Sequence, residues 1–396
     1  MADPIVMSLT MIMLGQIGFS VPLLLARVNK APMYLPLALV LLSIGILALG
    51  PMVSSLLPNW YALYTALAFP VLFILCPSLW FYVEGLTSST PWCLQIKQAR
   101  HYFLVWPALI ISLMILLLPA DMHSAIFIED VDVTEPFAIT LVLSILVIML
   151  LWLGQCVYSV FRITQRLIVY RKQLKDLFSN NEERELKWIN WLLFVVFSVW
   201  LLSLISVFSS SLFDNFLFNL RTEALLSLLL IWSLAHFGLQ QTPGLLSDDN
   251  NDTTNITPEK HDKSEESATL STTKKYQRSA LSTEQSDRIA DKINAVMTQD
   301  KLYLDANLSL QKLANYLTIS PNYISQTLNE KLSINFFDFV NQWRIEDAKP
   351  QIIANQDTIL NIALAVGFNA RSSFYKAFKQ DTGKTPSEFR KHYIKH

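Results

Sequence analysis

Charge is scarce in this chain: Asp, Glu, Lys and Arg make up 16% of its 396 residues, against 52% hydrophobic ones, and the mean hydropathy is +0.35. That shortage excludes an ordinary soluble protein, in which about 25% of residues are charged. Cysteine is nearly missing too. Cys76, Cys93 and Cys156 are odd in number, form no CxxC pair and sit in or beside apolar runs, so neither a disulfide framework nor a cysteine metal site is encoded. No HExxH, GxSxG or P-loop occurs and the six histidines are scattered, which leaves no catalytic residue, cofactor or metal to assign. The start, Met1-Ala2-Asp3-Pro4, has no basic stretch of the kind that precedes a cleaved leader, so the first apolar run is expected to remain as a helix.

What is present is a set of long apolar runs. Crossing roughly 30 Å of hydrocarbon at about 1.5 Å per residue takes about twenty residues. Candidate spans fall at 5–25, 33–53, 61–83, 103–119, 137–158, 188–208 and 224–239. Seven membrane helices are therefore expected over residues 1–241. Lys and Arg are retained on the cytoplasmic side, and eleven of the twelve basic residues in this part follow the first, third or fifth span, with Arg221 the exception. That pattern puts the N-terminus outside and whatever follows residue 241 in the cytoplasm. The acidic stretch 120–136 reads as a solvated outer loop. Between Arg162 and Lys187, apolar Leu167, Ile168, Leu174 and Leu177 alternate with basic residues, so the fifth helix can extend beyond the bilayer or lie along it.

From 242 to 280 the chain turns polar and rich in Asp, Asn, Ser and Thr, the composition of a disordered tether. Residues 281–396 change character again and are the one part with a basic excess, 14 Lys and Arg against 12 Asp and Glu. The last 26 residues concentrate it, with 7 basic side chains against 2 acidic, as phosphate binding requires. Ser282-x-x-Gln285 starts a capped helix, continued by Ile289, Ile293 and Met297. Leu310, Leu313, Ala314 and Leu317 form one helix face, 318–320 a turn, and Pro321, Tyr323, Ile324 and Leu328 a second helix. This is helix-turn-helix spacing. It recurs 49 residues on, with Ala363 for Ala314 and Asn369 for Ser320 and one extra residue after the turn. Phe336, Phe339, Val340, Trp343 and Ala348 predict a connecting helix, which would hold two reading helices about 34 Å apart, one turn of B-DNA.

Residues 308–393 thus resemble the AraC/XylS family of bacterial transcription regulators. The anchors are Ile359-x-x-Ile362-Ala363, Gly367-Phe368, Ser373-Phe374, Phe378-Lys379, Gly383-x-x-Pro386 and Phe389-Arg390, with Trp343-Arg344-Ile345-x-x-Ala348 upstream. The resemblance implies base contacts from Pro321, Asn322, Ser325 and Gln326 in the first unit, and from Arg371, Ser372, Ser373, Tyr375 and Lys376 in the second. Arg371 is the residue best able to hold a guanine edge, while Lys376, Lys379 and Arg390 meet phosphates or support packing. Three positions depart from the family pattern: Ser333 stands for the usual glycine closing the first unit, Leu328 for a common Phe, and Pro350 falls inside the connecting helix.

The expected fold is all-α: a seven-span transmembrane helical bundle (1–241), a disordered linker (242–280) and a soluble tandem helix-turn-helix domain (281–396). The expected function is a membrane-bound one-component transcription regulator in a bacterial inner membrane, not an enzyme. Its expected partners are double-stranded promoter DNA, the lipid bilayer, an unidentified small-molecule or envelope signal, a second copy of the chain in a homodimer, and RNA polymerase if it activates. Coupling is expected through dimerisation, with docking of the 162–187 extension onto the DNA-binding domain as the other route. A transporter or sensor whose C-terminal domain docks a protein is the rival reading, although two similar halves, a common mark of transporters, are not evident.

Overall fold

The structure is a computed structural model that describes residues 3–119, 122–123, 126, 135–181, 185–196, 220–241 and 281–394. Most of the acidic stretch 120–136, the second half of the expected sixth span and the whole tether lie outside the described residues. Among those that are described there are helices and no strands, as expected. The chain divides into two compact units. One takes Met1–Ile168 with Leu186–Asp252, the other Val169–Glu185 with Thr253–His396.

In the apolar unit, helices Pro4–Arg27, Tyr34–Ala48, Tyr61–Leu72, Leu75–Leu86, Val105–Leu116 and Leu220–Gln240 are joined by short turns and 3-10 segments or by residues outside the described set, and the 42-residue helix Pro136–Leu177 begins here. Four helical stretches are long and apolar enough to cross a membrane: Pro4–Arg27, Tyr34–Leu56, Pro58–Leu86 and Pro136–Leu177. These coincide with four of the seven expected spans. The expected span at 103–119 corresponds to a pair of helices, Ile96–Tyr102 and Val105–Leu116, bent by 49°, and would make a fifth. The remaining two expectations fall on apolar stretches described only in part, Lys187–Val196 and the Ala224–Gln240 portion of Leu220–Gln240.

The long helix turns its apolar side chains outward. Leu143, Leu146, Val147, Leu150, Leu151 and Val157 are each more than half exposed, the reverse of a helix built for water. The Gln155 amide N–H and the Glu84 carboxylate find partners within the unit instead. Gln155 donates to the carbonyl of His101 at 2.9 Å, and Glu84 accepts from Trp92 at 3.4 Å and Gln98 at 3.3 Å. Arg27, in the last turn of the first helix, donates to the carbonyl of Leu239 at 2.6 Å and so satisfies an orphan acceptor at the end of Leu220–Gln240.

The second unit has two cores that share one helix. Helix Thr283–Gln299 opens with both bonds of the expected capping box, Ser282 Oγ accepting from Gln285 N and Gln285 Oε1 from Ser282 N, each at 3.2 Å. Its Ile289, Ile293 and Met297 pack with Leu310, Leu313, Ala314, Ile324 and Leu328 around Phe336, Phe339 and Val340. The same helix, Phe336–Ala354, then gives Ile345, Ala348 and Ile352 to a second core with Ile362, Ala363, Phe368, Phe374 and Phe378. Pro350 lies within this helix without ending it. The lost N–H falls in the last turn but one, so the two cores still share an unbroken support.

Candidate nucleic-acid interface

Each half of the second unit is a helix, a left-handed turn and a second helix. In the first half Ser309 caps Leu310–Leu317, accepting from Lys312 N at 3.2 Å, and Thr318 takes φ 55° before Pro321–Gln326. In the second half Thr358 caps Ile359–Ala365, accepting from Asn361 N at 3.1 Å, and Gly367 takes φ 94° before Arg371–Thr382. The turns close with the same bond, Ile319 N to Ala314 O at 3.0 Å and Phe368 N to Ala363 O at 2.9 Å. The caps, the turn residues and the closing bonds are each 49 residues apart, the offset read from the sequence, and the second helices start 50 apart because of the extra residue after the turn. Proline at the first position of the second helix costs nothing, because that N–H has no intrahelical acceptor.

Of the candidate base-contacting residues in the first half, Asn322 is exposed and Pro321, Ser325 and Gln326 are half-buried. Ser325 Oγ accepts from Asn329 at 3.3 Å and Gln326 donates to Glu330 at 2.9 Å, so the amide is held by a carboxylate from its own helix. In the second half Arg371, Ser372 and Lys376 are exposed and Ser373 and Tyr375 half-buried. Ser373 Oγ donates to the carbonyl of Ala370 at 2.8 Å. The Arg371 guanidinium lies 4.8 Å from the ring centre of Tyr375 and donates to its hydroxyl at 2.9 Å, and that hydroxyl also meets Ser387 Oγ at 3.1 Å. Burial works against ionisation of Tyr375, but the hydrogen bonds from Ser387 and Arg371 and the charges of Arg371 and Arg390 outweigh it and hold the phenol below its ordinary pKa. The second reading helix therefore starts with an arginine already braced by an aromatic ring.

The two phosphate candidates part ways. Lys379 is exposed one turn beyond Lys376 on the same helix. Arg390 is half-buried and donates to the carbonyls of Ile352 at 3.2 Å and Asp357 at 2.9 Å, tying the last helix, Pro386–Ile394, to the end of the connecting helix. Lys349 adds a second tie, pairing with Glu346 on its own helix and with Asp381 of the second reading helix at 3.1 Å. Phe368, Phe374 and Phe378 are buried and Phe389 packs against them, so none of the four is a base-stacking platform.

Two residues that organise the interface have no function assigned from the sequence, Arg344 entering there only as an anchor of the family pattern. Arg344 is completely buried between the two cores and directs its guanidinium at the carbonyls of Tyr303 (2.7 Å), Asp305 (2.8 Å) and Ser179 (3.3 Å), the Ser179 hydroxyl (3.2 Å) and Asn341 Oδ1 (3.4 Å). Burial pulls its pKa down to about 10, opposed by the charge of Asp305, and it stays protonated at neutral pH. A signal for it does exist. Phe336, Val340, Arg344, Ala348 and Ile352 follow one another at four-residue spacing, so Arg344 falls on a buried stripe. Ser179 gives no such signal, since it starts a polar Ser-Asn-Asn run.

A profile of the Helix-turn-helix domain family HTH_18 matches residues 313–392. An uncharacterized HTH-type transcriptional regulator of Staphylococcus aureus (strain COL) is 37% identical over 100 residues, 25% of this chain and 13% of that protein. The uncharacterized HTH-type transcriptional regulator YijO of Escherichia coli (strain K12) is 32% identical over 94 residues, 24% of this chain and 33% of YijO. This chain thus spans about an eighth of the Staphylococcus relatives it matches and a third of YijO. Among solved structures, the C-terminal domain of AraT, a response regulator from Geobacillus stearothermophilus, is 28% identical, covers 29% of this chain and 88% of its own, and has a TM-score of 0.24. The C-terminal domain of the two-component response regulator yesN from Fusobacterium nucleatum is 27% identical, covers 27% and 99%, and has a TM-score of 0.23. The matched residues are those of a helix-turn-helix domain, and the curated relatives that share it are HTH-type transcriptional regulators.

Proposed function

We propose that this protein is a membrane-bound one-component transcription regulator: residues 1–241 form a polytopic sensor in a bacterial inner membrane, and the C-terminal unit binds promoter DNA sequence-specifically from the cytoplasm. The observation that carries the DNA-binding half is the pair of helix-turn-helix units built on one shared helix, with Arg371, Lys376 and Lys379 exposed on the second reading helix. Arg371, Ser372, Ser373, Tyr375 and Lys376, with Asn322, Ser325 and Gln326, are assigned to base edges. Lys379 is assigned to phosphate. Arg390 serves the same surface by fixing the last helix.

The membrane half rests on helices with apolar residues turned outward and on the one-sided distribution of Lys and Arg. A sensing role is supported by an apolar cavity of about 350 Å³ inside the first unit, lined by Val40, Ile44, Leu79, Trp152 and Leu230 among others and softened by Ser227. The signal is an unidentified small molecule or envelope signal. The DNA is bound as a homodimer, and RNA polymerase is a partner where the protein activates.

Genome-wide DNA crosslinking with the full-length protein beside Arg371→Ala tests this reading. Sharp promoter peaks that vanish in the variant, from protein fractionating with the inner membrane, are expected. Flat profiles for both, at normal membrane levels, would turn the C-terminal unit into a protein-docking module.

A further inference from the structure

The second unit contains a segment from far upstream. Residues 169–185 belong to it, although the rest of the unit starts at Thr253. Leu177, the last residue of the long helix, packs against the first core. Phe178 is buried and pairs as an isolated antiparallel bridge with Ser309, the residue that caps the first helix of the first reading unit. Ser179 N donates to the carbonyl of Leu308 at 3.2 Å, and Ser179 Oγ donates to the same carbonyl at 2.6 Å. That hydroxyl and the Ser179 carbonyl then accept from Arg344 at 3.2 and 3.3 Å.

A guanidinium has five N–H donors. The wholly buried Arg344 directs them at five acceptors, and Ser179 supplies two of those. A buried charge that loses its acceptors is costly, because nothing replaces the water it gave up. If residues 178–181 left, Arg344 and the Leu308 carbonyl would lose partners together, and so would the 303–309 turn that leads into the first reading unit. The segment therefore acts as a piece of the domain: its bonds run to Leu308, Ser309 and Arg344, the entry to the first reading unit and the shared helix.

We infer that residues 178–181 are the control point of the DNA-binding unit, which is competent to bind DNA when they are docked on Leu308 and Arg344 and loses competence when they are withdrawn. The inference rests on the reading of this unit as a DNA reader. The chain reaching Ser179 is the helix Pro136–Leu177, most of which belongs to the apolar unit. A change that moves that helix therefore acts on Ser179 without passing through 242–280. The tether needs only to be long enough.

The test uses the full-length protein in native membranes and, as probe, DNA fragments recovered by crosslinking the wild type. Ser179→Lys, which sets an ammonium against Arg344, is expected to lower binding at least tenfold at unchanged membrane levels, while twenty Gly and Ser residues inserted after Asn255 leave it within twofold. Wild-type binding by Ser179→Lys would overturn the inference, and so would an insertion as damaging as that variant. A second variant guards against simple unfolding: Phe178→Cys with Ser309→Cys, the three native cysteines changed to Ala, treated with diamide to join the bridged pair. Binding kept within twofold after oxidation is expected, and binding abolished by it would make the docked state the inactive one and refute the inference. Arg371→Ala is scored alongside. If it binds as the wild type does, the DNA-reading assignment fails, whatever Ser179 shows.

Discussion

Gly367 lies directly beneath the carbonyl oxygen of Tyr303: a Cβ at this position would come within 2.6 Å of that oxygen, 2.9 Å of the Leu304 oxygen and 3.0 Å of Arg344 Nε. The turn of the second reading unit is thus pressed onto the strand of chain that enters the first, with the buried arginine between them. Phe368, the next residue, puts its ring 5.5 Å from the Arg344 guanidinium. Burial, followed by the nearby Asp347 carboxylate, pushes the Tyr303 phenol up to about 12, so it stays a neutral donor to Asp347 at 3.2 Å. The spacing of the two reading helices depends on this junction as well as on the connecting helix.

Gly367→Ala should therefore damage both halves. The left-handed backbone at φ 94° alone costs a non-glycine residue about 1–3 kcal/mol, and the methyl also strikes backbone atoms that cannot rotate away. Faster amide exchange is expected in 359–382 and also in 303–309. Loss confined to the second helix-turn-helix would show that the junction does not bind the halves together.

Ser333 and Gly383 occupy equivalent left-handed positions, at φ 52° and 74°, each closing the second helix of its unit. Placing an ordinary L residue there costs about 1–2 kcal/mol, offset in part by the greater freedom of glycine when unfolded. Ser333→Gly should raise stability by up to about 1 kcal/mol and Gly383→Ser should lower it by a similar amount, since a side chain at 383 meets nothing within 4 Å and the cost is purely backbone. Denaturant midpoints of the purified protein, followed by exchange in 321–340 and 371–390, measure both.

Local features were legible in the sequence and distant ones were not. The capping box at Ser282, the 49-residue repeat, the glycine-like position at Ser333 and the connecting helix each depend on residues within one or two turns, where side-chain chemistry dictates backbone. The apolar unit was legible as helices: four of its seven expected spans are long and apolar enough among the described residues and a fifth is a bent pair, while most of the residues between the last two expected spans lie outside the described set. Charge alone leaves Arg390 as a phosphate ligand or a packing residue, and its bonds to two carbonyls, one of them 38 residues away, join segments that no local pattern connects. The Ser179–Arg344 contact spans 165 residues and joins a polar run to a buried cation. No periodicity in either segment announces the other.

Acid should loosen the last helix first. Thr385 and Glu388 form a reciprocal cap, Glu388 accepting from Thr385 N at 2.8 Å and Thr385 Oγ1 from Glu388 N at 3.3 Å. The Thr385 backbone N–H, then its hydroxyl, hold the Glu388 carboxyl below its ordinary pKa, helped by Lys379 and Lys384 against a small burial effect. A carboxyl lowered on folding binds fewer protons in the folded state, so its contribution is complete above the ordinary value near 4.5 and disappears as pH falls through the lowered one. Protection of the amides at 386–394 should fall as pH drops below that ordinary value, and Glu388→Gln should remove that dependence. An unchanged pH profile in the variant would assign the transition to another group.

Salt and sequence dependence should separate the roles of three basic residues. Arg371 is braced on Tyr375 and free to reach a base edge, so Arg371→Ala should cost about 1–3 kcal/mol on the cognate site and relax the preference at one base pair. Lys379 sits further along the same helix, and Lys379→Ala should weaken cognate and unrelated DNA alike. The slope of log K against log salt should become shallower by about 0.9, one released counterion. Arg390→Ala should leave that slope where it was and still lower affinity, because the two carbonyls it holds orient the last helix against the connecting one. Titrations of cognate and scrambled duplexes between about 50 and 200 mM salt distinguish the three patterns. A shallower slope for Arg390→Ala would mean that its guanidinium leaves Ile352 and Asp357 for phosphate when DNA binds, and that the last helix is held in the complex by the DNA itself.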